Sequence, residues 1–224
     1  MLQKIRPNWP KIIVNILAFI PLLWLIVSWF TNNLGPNPVK YVQLFTGDVA
    51  LIMLLLSLSA TPLKKLTGFA PIGKFKKTFG LQAFYYATVH LINFLWIDYR
   101  FDWKAILDLV IQKWYLLLGL ISFLILLALA ITSLKKMKVL LGKNWKPLHR
   151  LVYLAGILAV LHYGLSVKGS LFLLRGNIGR PLLAGAILTV LLVSRLPFKC
   201  WFSHKKEENE KPRDIINSAM KHDG

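Results

Sequence analysis

The chain has 224 residues, 56% of them hydrophobic, and a formal charge of +19 from 28 basic and 9 acidic residues. A mean hydropathy of +0.55 excludes an ordinary soluble domain, and basic residues clustered in short loops beside apolar runs mark membrane orientation, not nucleic-acid binding. The single cysteine, Cys200, excludes an intramolecular disulfide and any cysteine-based zinc or iron–sulfur site.

Lys4, Arg6 and Lys11 precede a first apolar run, 12–30. It is too long for a signal-peptide core and has no small-residue cleavage site after it, so it reads as a retained first helix. Trp24 and Trp29 suit an interfacial aromatic belt at its far end. Gly35-Pro-Asn-Pro38 then breaks the chain. The pattern predicts a surface segment over 39–47 and a short second span over 48–62, with Asp48 at its outer rim.

The loop 63–78 carries Lys64, Lys65, Lys74, Lys76 and Lys77 with no acid, which makes it cytoplasmic by the positive-inside rule. A third span, 79–97, contains His90. The connector 98–113 mixes acids and bases, and its apolar residues around Trp103, Ile106 and Leu109 suit a short helix in the interface. The fourth span, 114–134, has no charge. A second lysine-rich stretch, from Lys135 to Arg150, is also cytoplasmic by its charge. The fifth span, 148–167, carries His149 at its basic end and His162 deep inside. A sixth, 181–196, leads to a polar tail.

The sum is an all-α polytopic membrane bundle of six transmembrane helices, or five if the short last run does not cross. With six spans both termini are cytoplasmic, with a bundle domain over 1–198 and a tail over 199–224.

Histidines inside apolar helices serve as metal or heme ligands, proton relays or polar links between helices. At 1.5 Å per residue, His90 lies about 18 Å from the cytoplasmic edge and His162 about 22 Å. Depths within one turn of each other let two imidazoles face one iron between helices. His149 lies roughly 20 Å from His162 along the axis and about 140° away in direction, so one straight helix does not aim both at stacked hemes. His204 and His222, in the polar tail, read as solvated.

The segments Asn37-Pro-Val-Lys40, Phe45-Thr-Gly47, Ala87-Thr-Val-His-Leu91, Leu141-Gly-Lys-Asn-Trp-Lys-Pro-Leu-His149, Leu151-Val-Tyr153 and His162-Tyr163 with Ser166-Val-Lys168 closely resemble the MsrQ (YedZ-type) family. That family belongs to the ferric-reductase-like transmembrane superfamily, and the likeness runs to about Leu196. It implies a b-type cytochrome of the bacterial inner membrane with one or two hemes b. The electrons would come from the quinone pool or a cytoplasmic flavin reductase. They would go to a periplasmic molybdopterin-containing methionine-sulfoxide reductase, with the substrate reaction on that separate subunit.

The resemblance also implies FMN, for which the sequence has no recognisable local motif. Carried over by position, the heme ligands are His90, His149 and His162. NADPH oxidases of the wider superfamily have a fourth histidine fourteen residues before the inner one on the third helix, where this chain has Lys76. The partner of His149 therefore stays open, and Lys76 or Lys77 enters as a propionate partner or as a neutral amine ligand.

Readings of other classes fit less well. A transporter predicts acids near the midplane, and the apolar runs have none there. A self-contained ferric or NAD(P)H-dependent reductase needs a nucleotide-binding domain, for which length and motifs give no support. A heme-containing ferric reductase without that domain, or a quinone-linked cytochrome b anchor for another partner, stays as the alternative.

Overall fold

A computed structural model describes the backbone of residues 9–68, 71–167, 169–170, 175–176 and 178–195, and the side chains of 12–68, 71–167 and 178–195. Eight α-helices occur in the order α1 (Trp9–Phe30), α2 (Pro38–Thr67), α3 (Ile72–Ile92), α4 (Trp103–Gln112), α5 (Tyr115–Thr132), α6 (Lys135–Leu141), α7 (Trp145–Ser166) and α8 (Gly179–Val193). α3 runs on as a π-helical segment, Asn93–Asp98, and a 3-10 turn, Gly142–Asn144, joins α6 to α7. A two-residue antiparallel pairing of Gly169–Ser170 with Arg175–Gly176 lies between α7 and α8. The predicted tail over 199–224, with Cys200, His204 and His222, lies outside the described residues, as does the boundary proposed at 198.

Among the described residues four helical stretches are long and apolar enough to cross a membrane by length and composition: Ile12–Phe30, Pro38–Thr67, Tyr115–Thr132 and Lys135–Ser166. Their outward faces are apolar: Ile16, Leu23, Phe30, Leu124 and Ile131 are all exposed. A monomer in water does not leave such a surface bare, whereas lipid covers it.

The second helix differs from its sequence reading. It starts at Pro38, not near Asp48, so 39–47 is helix and not a separate surface segment. The reason is local. Proline is a breaker within a helix, yet it suits the first turn, where its missing N–H has no intrahelical partner to lose. The Asn37 side chain accepts from the Lys40 N–H at 3.0 Å and caps that turn. At 30 residues α2 is about 45 Å long, more than a hydrocarbon core of about 30 Å requires. It ends at Gly68, whose φ of 67° is the left-handed cap that glycine adopts without Cβ strain.

α3 likewise begins earlier than predicted, at Ile72, which places Lys74, Lys76 and Lys77 on the helix and not in a loop. The short helix predicted in the connector is α4, capped by Asp102, which accepts from the Ala105 N–H.

Through Leu191 the chain is one compact unit. α2 packs chiefly on α3 and α5 on α7, and these pairs meet where α3 touches α5 and α2 touches α7. Leu54 and Leu58 of α2, Ala83 of α3 and Ala155 of α7 are buried in the bundle, as is Tyr86 of α3, which reaches α1. Hydroxyls link the helices through backbone carbonyls: Ser57 donates to Lys76, Ser122 to Ala155 and Tyr86 to Ala18. In lipid, where apolar burial gives little drive between helices, close packing and such bonds hold the bundle.

Candidate functional site

Glycines let two of the sequence-predicted histidines lie against neighbouring helices. The His90 ring of α3 rests on Gly47 of α2, where a Cβ would come within 3.1 Å of the imidazole. The His162 ring of α7 rests on Gly119 of α5, where a Cβ would come within 2.8 Å. A side chain at either position would press on the imidazole, so glycine lets each ring approach the opposite backbone.

That approach sets the tautomer. His90 Nδ1 lies 2.9 Å from the Gln43 carbonyl oxygen, and His162 Nδ1 lies 3.0 Å from that of Tyr115. A carbonyl only accepts, so both Nδ1 atoms carry the hydrogen, and each neutral ring keeps its lone pair on Nε2. His90 Nε2 receives a hydrogen bond from the Gln43 side-chain amide at 3.1 Å. For His162 Nε2 no hydrogen-bond partner occurs among the described residues. An Nδ1–H on a backbone carbonyl is the usual outer-shell support of a metal-bound imidazole.

The two rings stand with centroids 6.3 Å apart and planes at 89°. Metal–imidazole bonds of about 2 Å set two ring centres on a common ion roughly 6 Å apart. Donor type, tautomer and ring spacing would suit His90 and His162 as the residues holding one heme iron, once the Gln43 amide left His90 Nε2. The matched depths read from the sequence do bring the rings together.

His149 is placed differently. Its Nε2 lies 3.1 Å from the Thr132 hydroxyl, which itself donates to the Ala128 carbonyl at 2.7 Å. That assignment makes His149 Nε2–H the donor and leaves the lone pair on Nδ1. The ring stacks on Trp145, centroids 4.1 Å apart at 29°, and the Trp145 indole donates to the Thr132 carbonyl. Lys76 and Lys77 lie near enough for their charges to act on His149. Lys77 Nζ donates to the Ser133 carbonyl at 2.7 Å, which pins the start of α3 to the end of α5. Lys138 lies over the far partner of the stack, 4.9 Å from the Trp145 ring. Among the described residues no group of three or more His, Cys, Asp or Glu side chains converges on a single metal position.

Sequence reasoning missed Gln43, Asn93, Thr132 and Trp145, along with the two glycine seats. A signal for the first two existed, because amides inside apolar runs need partners. Reading 39–47 as a surface segment hid Gln43.

Comparison with known proteins extends this picture. Residues 46–160 match the family model described as "Ferric reductase like transmembrane component", a window that contains His90 and His149. A Rhodospirillum rubrum protein named "Protein-methionine-sulfoxide reductase heme-binding subunit MsrQ" is 38% identical over 194 residues, 86% of this chain and 90% of the relative. Proteins of the same name from Herminiimonas arsenicoxydans and Pectobacterium carotovorum are 36% and 42% identical. Those alignments cover 88% of this chain and 88% of the first relative, and 70% of this chain and 80% of the second. With four long apolar helices to suit a bilayer, likeness of this extent makes the chain a multi-pass protein of the bacterial inner membrane that belongs to the MsrQ family of ferric-reductase-like transmembrane proteins.

Proposed function

We propose that this protein is a b-type cytochrome subunit that carries electrons across the inner membrane to a periplasmic methionine-sulfoxide reductase. The donor is the quinone pool or a cytoplasmic flavin reductase. The acceptor is a molybdopterin-containing subunit that carries out the repair of oxidised methionine, and this chain performs no substrate chemistry itself. The observation that carries the reading is the His90–His162 pair, two imidazoles of metal-binding tautomer with centroids 6.3 Å apart between α3 and α7. The names of the relatives point the same way.

His90 and His162 would hold the iron, and coordination would take over the lone pair that accepts from Gln43. The heme supplies one-electron chemistry, and two imidazoles leave no open position, which suits electron transfer over oxygen activation. Gly47 and Gly119 seat the rings, while the carbonyls of Gln43 and Tyr115 hold their protons on Nδ1. His149, with Lys76 and Lys77, forms the cytoplasmic side, where electrons are taken up and where a second heme or its propionates would find a cationic setting. FMN has no residues assigned to it.

In this reading α3 and α8 add to the four long apolar stretches to make six spans with both termini in the cytoplasm. α8, at 15 residues and about 22 Å, is the shortest crossing. The full-length protein, purified in detergent after expression with ample heme supply, should give a dithionite-reducible low-spin b-type spectrum. His90→Ala and His162→Ala should each remove the same signal. A protein without Soret and alpha bands, or one variant with the wild-type low-spin spectrum, would sink the proposal.

A further inference from the structure

A chain of amide hydrogen bonds beside His90 has its direction fixed at both ends. Asn93 lies at the first position of the π-helical segment, one turn after His90, and is 1% exposed. π turns inside helices concentrate at functional sites. Its Nδ2 donates to the Val39 carbonyl at 3.3 Å and to Gln43 Oε1 at 2.6 Å. The Gln43 Nε2 group faces His90 Nε2 at 3.1 Å, and His90 Nδ1 faces the Gln43 backbone carbonyl at 2.9 Å.

Each step follows from what the atoms can do. The Val39 carbonyl only accepts, so Asn93 presents its NH2 group there. The same nitrogen then requires an oxygen from Gln43, and Gln43 is left with its NH2 group toward His90. A donor at that place needs a bare Nε2. The carbonyl on the other side of the ring demands Nδ1–H, which is the same tautomer. One orientation satisfies every contact, and reversing either amide sets donor against donor or acceptor against acceptor.

We infer that Asn93 is a positioning residue that, through Gln43, selects the Nδ1–H tautomer of His90 and so keeps Nε2 bare until a metal takes the place of the Gln43 amide. The inference rests on the heme-ligand reading of His90. Asn93 touches neither ring and acts by holding the Gln43 amide in one of its two orientations. Gln43 belongs to α2, so the register between the first turns of α2 and the end of α3 is what sets the tautomer of His90.

The test uses three variants of the full-length protein in detergent, titrated with hemin. Asn93→Asp is nearly isosteric and, at a pH where the infrared carboxyl band shows it ionised, it only accepts, so it turns the Gln43 amide and presents oxygen to His90 Nε2. Hemin affinity should fall about 10-fold or more as the tautomer able to bind iron becomes a minor population, with the low-spin signal replaced by a high-spin one. Gln43→Leu keeps the backbone carbonyl that holds Nδ1–H and removes the amide that can be misdirected, so it should stay low-spin. The double variant, Asn93→Asp with Gln43→Leu, should recover most of the low-spin signal. A role for Asn93 in stability alone predicts no rescue, because the double variant leaves a buried carboxyl with fewer partners.

Side-chain 15N shifts of His90, recorded without added hemin, give a readout independent of heme. They should show Nδ1–H in the wild type and in the double variant, and Nε2–H or a mixture in Asn93→Asp. Wild-type hemin binding and a wild-type His90 tautomer in Asn93→Asp would overturn this inference and leave the heme proposal standing. A wild type without low-spin heme would remove the proposal itself, whatever the tautomer.

Discussion

Gly119→Ala is the sharpest perturbation of the proposed site, because a single methyl group meets the ligand ring directly. Its Cβ would stand 2.8 Å from His162 Nδ1, 2.9 Å from Cε1 and 3.1 Å from Cγ. Ordinary carbon contact begins at about 3.5 Å, so the ring must retreat by roughly 0.7 Å. That movement stretches the 3.0 Å bond from Nδ1 to the Tyr115 carbonyl. It also exceeds the tolerance of about 0.2 Å on a metal–ligand distance.

The same change at Gly47 meets His90 at 3.1 Å, so roughly 0.4 Å suffices there. Stability should respond less than ligation does. Overpacking costs about 1–3 kcal/mol, while alanine in place of glycine within a helix returns about 1 kcal/mol. Both variants should therefore purify as folded protein. Heme-to-protein ratio from pyridine hemochrome spectra, with the reduced alpha band, should fall strongly for Gly119→Ala and less for Gly47→Ala. A wild-type spectrum and heme ratio in Gly119→Ala, or a larger loss in Gly47→Ala, would refute the assignment of these glycines as ligand seats.

Two further outcomes test the bundle. Cysteines at Lys74 and Lys138, with Cys200 replaced, should resist an impermeant thiol reagent in intact cells while one at Asp102 reacts; the opposite pattern would invert the topology and the direction of electron flow. Ser122→Ala removes the bond from the α5 hydroxyl to the Ala155 carbonyl and should cost about 0.6 kcal/mol, the average for such bonds in membranes, read as a small fall in the thermal midpoint in detergent.

The helices were legible in the sequence wherever an apolar run was long. The 18 residues of α5 and the lipid-facing α1 needed nothing more than hydropathy and length. The histidine pair was legible too, because rise per residue converts position into depth and two intramembrane imidazoles at one depth invite a common partner. The start of α2 was not, since Gly35-Pro-Asn-Pro38 contains both a breaker and an initiator, and only the Asn37 cap decides between them. The π segment after α3 leaves no periodic mark. Gln43, Asn93 and Gly47 become readable only after α2 and α3 are in register, and Gly119 only after α5 meets α7, because each is defined by an atom 43 or more positions away.

The difference between His149 and the other two histidines leads to a separate prediction. His90 and His162 keep their lone pairs on Nε2, while His149 spends Nε2 on the Thr132 hydroxyl and lies flat on Trp145 at 4.1 Å. It is therefore not a third member of the pair, and its loss should not disturb the ligands of the inner iron. In His149→Ala the dithionite-reduced low-spin spectrum of the pair should remain, since a small reductant reaches that iron without the cytoplasmic end of α7. Reduction by quinol or by a flavin reductase should slow, because in the proposed function both would deliver electrons on the side where the charges of Lys76 and Lys77 act on His149. With two hemes present, the heme ratio should drop by about half while the residual spectrum stays low-spin. Thr132→Val adds a control, as it removes the hydroxyl that holds Nε2 and leaves the imidazole in place. It should alter donor-driven reduction in the same direction as His149→Ala and leave the inner spectrum intact. Normal heme content and normal donor-driven reduction in His149→Ala would reduce this residue to a solvated helix end. Loss of the inner low-spin signal would instead show that the two histidine environments are not independent.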